Sequence, residues 1–231
     1  MEFAAIRPED TAVEIGPGQG ALTRELAAIA HRVIAIEIDK DLTPGLRAEM
    51  PGNVEIIEGD ALQVEFPAGR FHVVGNLPYN VATPLFKRFI ENRSRIIDVT
   101  VMIQKEVADR LTANPGTAEY GPLTVLIQYY ANVEYGFTVR PGAFKPKPKV
   151  DSAVVRLDWK PGVRDARRFT DFVQRAFSSR RKKLANNLLQ MFPSMEREAV
   201  VHRMQKAGIE INARPEALSV DEFLNVYNHF R

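Results

Sequence analysis

The stretch "VVGNLPYN", residues 73–80, ends an apolar run with an amide, a proline and an aromatic. These are residue types that can hold a purine amine. The exocyclic nitrogen of adenine has its lone pair conjugated into the ring. Alkylation requires it to become tetrahedral while positive charge develops, and two oxygen acceptors aimed at its protons favour that change. Asn76 offers a side-chain carbonyl. Leu77 offers a main-chain carbonyl, which Pro78 holds in an extended conformation. Tyr79 offers a face on which a base can stack, worth roughly 1–3 kcal/mol. Standing alone, such a tetrapeptide reads more readily as a β-turn with a buried aromatic, so its meaning depends on what precedes it.

What precedes it is a nucleotide half-site. "VEIGPGQGALT" (13–23) reads as strand, glycine turn and helix, with Gly16, Gly18 and Gly20 letting the backbone turn tightly and approach a ligand. The spacing is G-x-G-x-G, and an ordinary strand-to-helix turn would look the same. The next strand, "VIAIEID", ends on Glu37, where a carboxylate can accept both ribose hydroxyls. The third ends in "EGDAL", where Asp60 can accept from an adenine amino group. Read singly, Glu37 and Asp60 are as well explained as helix-terminal carboxylates. Three successive strand ends carrying glycines, Glu and Asp fit an adenosine-containing ligand better than three unrelated caps.

These groups need a scaffold that brings strand ends together. "TAVEIG" (11–16), "RVIAIEI" (32–38), "NVEIIEG" (53–59), "FHVVGN" (71–76) and "IIDVTVMIQ" (96–104) are rich in Val and Ile and almost continuously apolar, as in a parallel sheet covered on both faces. Residues 20–30, 39–50 and 82–92 read as helices or helix-containing connections between them. That alternation predicts an α/β, doubly wound sheet with ligands outside the carboxyl ends of its strands. "KEVADRL" and "LTVLIQYYANV" read as helices, "VEYGFTV" and "DSAVVRLDW" as two more strands, and the Pro-rich 140–150 between them as an extended loop. After Pro161-Gly162 only helical patterns remain. The expected domains are therefore 1–160, catalytic, and 163–231, helical.

The 231 residues are 45% hydrophobic and 26% charged, with a net charge of +2 and no cysteine. This is the balance of a globular protein with a sizeable core. It excludes disulfides, thiolate metal sites and a cysteine nucleophile. No long uncharged apolar run is present, the first residues do not read as a signal peptide, and the four histidines have no metal-ligand spacing, so no metal is expected. Basic residues cluster in two places. Lys145, Lys147 and Lys149 lie beside Phe144. Arg180, Arg181, Lys182 and Lys183 stand at the start of a predicted helix, with Arg167, Arg168 and Arg175 before them. Such clusters can grip phosphates without reading sequence, or form an ordinary solvated face.

In order, "VEIGPGQGALT", "AIEID", "GDAL" and "GNLPYN" resemble the S-adenosylmethionine motifs of the ribosomal RNA adenine N6,N6-dimethyltransferases. "MIQKEVADRL", "YGPLTVLIQYY", "FKPKPKVDSAVVRL" and "AFSSRRKKLANNL" resemble later segments. The set is most similar to the bacterial small-subunit branch rather than to the erythromycin-resistance methylases. The resemblance implies a seven-stranded Rossmann-like methyltransferase sheet with a small all-α C-terminal domain. It implies S-adenosylmethionine as cofactor, held by Glu14, Gly16, Gly18, Gly20, Glu37, Ile38, Asp60, Ala61 and Asn76. It implies a catalytic set of Asn76, Leu77, Pro78, Tyr79 and Phe144, the last closing on the target base from its other side. The implied substrate is a hairpin near the 3′ end of 16S ribosomal RNA, in the small subunit or its precursor, with two adjacent adenosines each dimethylated. A cytoplasmic monomer with no membrane contact is expected.

Family members usually begin with a basic segment and a "GQ-N/H-FL" stretch that helps close the cofactor site. This chain starts in what reads as the tail of the first helix, "EFAAIRPEDT", and its cofactor affinity and activity are expected to depend on that difference. A DNA or large-subunit RNA adenine methylase, an NAD oxidoreductase and a non-catalytic assembly factor remain alternatives at this point.

Overall fold

The computed structural model describes residues 2–78, 81–144, 147–163, 167–179 and 182–231. The chain packs as two compact units, Met1–Ala108 with Ala131–Trp159, and Asp109–Tyr130 with Lys160–Arg231.

The first unit is built on seven strands, β1 (Thr11–Ile15), β2 (Arg32–Glu37), β3 (Val54–Glu58), β4 (Phe71–Asn76), β5 (Ile96–Gln104), β6 (Ala131–Val139) and β7 (Ser152–Trp159), in the order β3-β2-β1-β4-β5-β7-β6. The first five pair in parallel, and β7 runs antiparallel to both β5 and β6. The Val- and Ile-rich runs are strands because both faces are covered: β1, β2 and β4 are buried along nearly their whole length. The order reverses direction between β1 and β4. That is the switch point at which an open α/β sheet leaves a crevice for ligand.

The switch point is tight. A Cβ on Gly75 would lie 2.5 Å from the Ile15 oxygen and 3.1 Å from its nitrogen, so main chain meets main chain and only glycine fits. Helices α1 (Ala21–Ala27), α2 (Thr43–Glu49) and α3 (Ala82–Glu91) connect the strands. In α3, Ala82, Leu85, Phe86 and Phe89 form a buried stripe at helical spacing. Helix α2 starts at Thr43, inside the helix-containing connection read over residues 39–50, because Asp39 first closes a turn, accepting from the Asp41 amide at 2.9 Å. The expected helix tail at the start of the chain is a 3-10 turn, Glu2–Ala4.

The division between the units falls within α4 (Lys105–Leu111). The second unit contains α5 (Pro122–Tyr130), α6 (Arg167–Ala176), α7 (Leu184–Met191), α8 (Arg197–Lys206) and α9 (Val220–Phe230). It has its own core of Phe169, Leu184, Leu188, Val200 and Phe223, all fully buried. Pro161-Gly162, the boundary read from the sequence, lies where the chain re-enters this unit. Residues 109–130, which the sequence order grouped with the sheet, belong to it as well. The helical pattern expected to run to about Asn132 stops at Tyr130, and Ala131 opens β6 by pairing with Trp159. Helix α9 starts with a reciprocal cap, the Ser219 hydroxyl accepting from the Glu222 amide and the Glu222 carboxylate accepting from the Ser219 amide. Among the described residues no helix is long and apolar enough to cross a membrane.

Candidate active site

The glycine turn after β1 takes the left-handed backbone that glycine tolerates, with φ of +69° at Gly16, +57° at Gly18 and +79° at Gly20. Glu37, at the end of β2, fixes it. One carboxylate oxygen accepts from the Gly18 amide at 3.0 Å and the other from the Asp39 amide at 2.9 Å. Each oxygen keeps a lone pair, so Glu37 can still accept two hydroxyl protons. A Cβ on Gly18 would meet nothing within 4 Å, which leaves the turn open to a ligand.

Beside the turn lies a cavity of about 210 Å³, lined among others by Gly16, Glu37, Ile38, Asp60, Ala61 and Pro78. Six residues the sequence nominated thus meet in one cavity, drawn from the ends of β1, β2, β3 and β4. Ile38 is 65% exposed, an apolar face large enough to cover one side of a planar base. Asp60 closes an Asx turn, accepting from the Leu62 amide at 2.8 Å, and keeps acceptor capacity toward the cavity. The sequence did not single out Leu62, Val81 and Leu85, which complete the apolar lining.

Asn76 ends β4 with its residue exposed, opposite Met102 of β5. Its main-chain oxygen lies 3.6 Å from where a Cβ of Gly16 would be. The amide residue therefore stands beside the glycine turn, outside the lining of the adenosine-sized cavity. Leu77 donates its amide to the Met102 carbonyl at 2.9 Å and buries its side chain, which pins the segment. Pro78 is exposed and accepts from the Val81 amide at 3.1 Å. Tyr79 lies outside the described residues. Phe144 is half-buried, with extended backbone and its amide donated to Pro141 at 3.2 Å.

Two supports were not legible in the sequence. Arg88, on α3, donates to the Leu62 and Val64 carbonyls and lies over the Phe66 ring at 4.6 Å. It thereby shapes the loop after Asp60. Replacing Arg88 with Ala is expected to weaken S-adenosylhomocysteine binding by about tenfold, since charged hydrogen bonds contribute roughly 1.5–3 kcal/mol. Calorimetric titration checks this, and Arg88→Lys should recover only part, a lone ammonium lacking the planar fork.

The second is the state of Glu14. It is 1% exposed on β1, and its Oε2 and the Thr23 Oγ1 are buried without a hydrogen-bond partner among the described residues. Burial pushes its carboxyl from 4.5 up to about 7. The neighbouring Thr23 hydroxyl offsets part of the rise, and the Glu37 charge adds to it. The unfolded chain loses this proton near pH 4.5, whereas the folded chain keeps it to about pH 7. Stability from this group therefore falls as pH rises through that window, by about 3 kcal/mol in all. Relative to wild type, Glu14→Gln should gain this amount between pH 4.5 and 8. Urea midpoints at the two ends measure it, and a pH-independent difference would contradict it.

The set suits an adenosine-bearing cation: carboxylates at two strand ends, a bare glycine turn, an apolar plate and a buried acid lacking a partner. Among the described residues no cluster of His, Cys, Asp or Glu could hold a metal. In the two basic clusters, Lys147, Lys149, Lys182 and Lys183 are exposed. The last two precede α7 rather than opening it: Lys183 is its N-cap, and its ammonium reaches Asn212 at 2.6 Å. Lys145, Arg180 and Arg181 lie outside the described residues. Arg175 donates to the Met191 carbonyl at 3.1 Å.

The model of the family "Ribosomal RNA adenine dimethylase" matches residues 1–231. The chain belongs to the ribosomal RNA adenine dimethylase family. A relative in Pseudomonas fluorescens, "Ribosomal RNA small subunit methyltransferase A", is 42% identical over 231 residues, covering 95% of this chain and 83% of the relative. A dimethyladenosine transferase from Plasmodium falciparum has a TM-score of 0.86 at 27% identity, over 98% of this chain and 92% of that one. The 23S rRNA methyltransferase ErmE has a TM-score of 0.76 at 30% identity, over 99% and 93%. As a ribosomal RNA adenine dimethylase, the chain is a methyltransferase that uses S-adenosylmethionine to dimethylate ribosomal RNA adenine.

Proposed function

We propose that the substrate is the 3′-terminal hairpin of small-subunit (16S) ribosomal RNA, where two adjacent adenosines are each dimethylated at N6, and that Asn76 and Leu77 present the amine. The observation that carries this reading is the place of Asn76: exposed at the end of β4, with its main-chain oxygen beside the bare glycine turn. The preference for small-subunit RNA is supported by 42% identity to small-subunit methyltransferases A against 30% to ErmE.

S-adenosylmethionine supplies an electrophilic methyl on a sulfonium. Glu37 accepts from the ribose hydroxyls, Asp60 from the adenine amine, Ile38 covers the ring, and Glu14 offers a carboxylate near the cationic end. Asn76 Oδ1 and the Leu77 carbonyl accept from the two protons of the target N6, drawing it toward tetrahedral geometry. Pro78 holds Leu77 extended, while Tyr79 and Phe144 enclose the base. A base inside a stack cannot enter such a site, so the target is splayed out. Rate enhancement comes from positioning and from acceptors facing the charge that develops on nitrogen. The lysines beside Phe144 and the Arg180–Lys183 run hold phosphates. The protein acts as a monomer.

Tritiated methyl transfer to small subunits, large subunits and naked duplex DNA tests the substrate. Label in small-subunit RNA alone is expected, and label in large-subunit RNA or DNA would overturn the assignment.

A further inference from the structure

Glu14 is a buried acid for which the fold has no use. It interrupts an otherwise apolar strand, and its register partners on the neighbouring strands are Ala35 and Val74. From α1 it meets Thr23, itself fully buried. The charged group that bears on it is Glu37, from β2, and that charge opposes a second one on Glu14. No Arg, Lys or His among the described residues pairs with it. Its Oε2 and the Thr23 Oγ1 are both shut off from solvent without a hydrogen-bond partner.

The other two carboxylates of the site differ. Glu37 accepts from two main-chain amides and Asp60 from one, and such donors favour a negative charge. No donor reaches Oε2 of Glu14 among the described residues. A buried acid with no cation beside it keeps its proton, and burial accordingly pushes this carboxyl up to about 7. A balancing charge has to come from a ligand. Gly16, two residues on, lines the adenosine-sized cavity, and Glu37 holds the turn that follows. Glu14 thus stands at the root of the turn that receives the cofactor. S-adenosylmethionine and S-adenosylhomocysteine differ there by one methyl group and one positive charge.

We propose that Glu14 senses the charge of the cofactor: it is neutral in the empty site, gives its proton to solvent when the sulfonium enters, and takes one back when methyl transfer removes that charge. The inference rests on Glu14 facing the cationic end of the cofactor. The protons balance. Binding releases one from Glu14. In the transfer step the C–N bond forms as the C–S bond breaks, with its electron pair staying on sulfur, while N6 sheds one proton and Glu14 takes up one. Glu14 then no longer attracts the neutral thioether, which favours exchange of product for a fresh, charged cofactor.

Calorimetric titration of the full chain at pH 6, in two buffers of unlike ionisation enthalpy, counts the protons without any turnover. S-adenosylmethionine should release about 0.9 proton, the share of Glu14 that is still protonated at that pH. S-adenosylhomocysteine should release at least about 0.5 fewer. Apparent S-adenosylmethionine affinity should fall about fivefold from pH 7 to pH 6, since the ionised acid that the cation needs becomes scarcer. Glu14→Gln should abolish both the release and this pH dependence, and should weaken S-adenosylmethionine more than S-adenosylhomocysteine at pH 7. The wild-type proton count stands whether or not that variant folds. Equal release by the two ligands assigns Glu14 to the ammonium they share and overturns the proposal. So does binding of S-adenosylmethionine with no release, or a release that persists in Glu14→Gln, and each leaves methyl transfer to small subunits as a separate result. Release as expected without transfer to small subunits overturns the substrate reading and supports the sensor.

Discussion

Asn76→Ala is expected to lower single-turnover methyl transfer to small-subunit RNA by about 10²–10³-fold, the usual cost of removing one group that stabilises transition-state charge. Asn76 does not line the adenosine cavity, so S-adenosylhomocysteine affinity should change by less than about tenfold. The variant should also fold, because the residue is exposed at a strand end and its strand pairing is made by main chain. Rapid-quench transfer assays at saturating cofactor separate the two effects. Asn76→Asp keeps an oxygen acceptor in the same place and should retain more activity than Ala. Transfer by Ala within threefold of wild type would remove Asn76 from the catalytic set.

The largest effect on stability is expected at Asp98, in the middle of β5. Asp98 is 2% exposed. One of its oxygens faces His72 Nδ1 at 3.0 Å, and the other accepts from the Arg156 guanidinium at 2.8 Å. The other His72 nitrogen faces Asp10 at 3.2 Å, and Arg156 also donates to the Phe3 carbonyl at 3.1 Å. One carboxylate thus joins β4, β5 and β7 with the segments before β1. Asp98→Ala leaves a buried imidazole and a largely buried guanidinium without it, and breaking a buried pair this way costs about 3–5 kcal/mol. Urea denaturation should show the loss as a shifted midpoint with an unchanged slope. A loss below about 1 kcal/mol would mean that Asp158, which pairs with Arg156 at 3.0 Å, carries the cation alone.

The strands were legible because β1, β2, β4 and β5 are buried on both faces and must be apolar throughout, a pattern that survives without neighbours. Their carboxyl ends were legible for a related reason: in a parallel sheet, residues at corresponding ends meet, so Gly16, Glu37, Asp60 and Pro78 converge though up to 62 positions separate them. Pairwise supports were not legible. Arg88 acts on carbonyls 24 and 26 positions away, and nothing about a surface-looking arginine in α3 announces that. Nothing in the sequence around His72 announced its pairing with Asp98, which reaches it across a strand pair. The place of α5 was hidden as well. Chain order set it beside the sheet, whereas its buried Val125 and Leu126 join the core of the C-terminal helices. The end of α5 carries no Gly or Pro, so pairing of Ala131 with Trp159 decides where helix gives way to strand.

The central claim is geometric, and a crystal structure with S-adenosylhomocysteine and a target-strand oligonucleotide tests it most directly. The account predicts the flipped adenine N6 at about 2.7–3.2 Å from both Asn76 Oδ1 and the Leu77 oxygen, facing the sulfur across the glycine turn. An adenine amine held by other groups, or an Asn76 side chain turned away from the bound base, would contradict it.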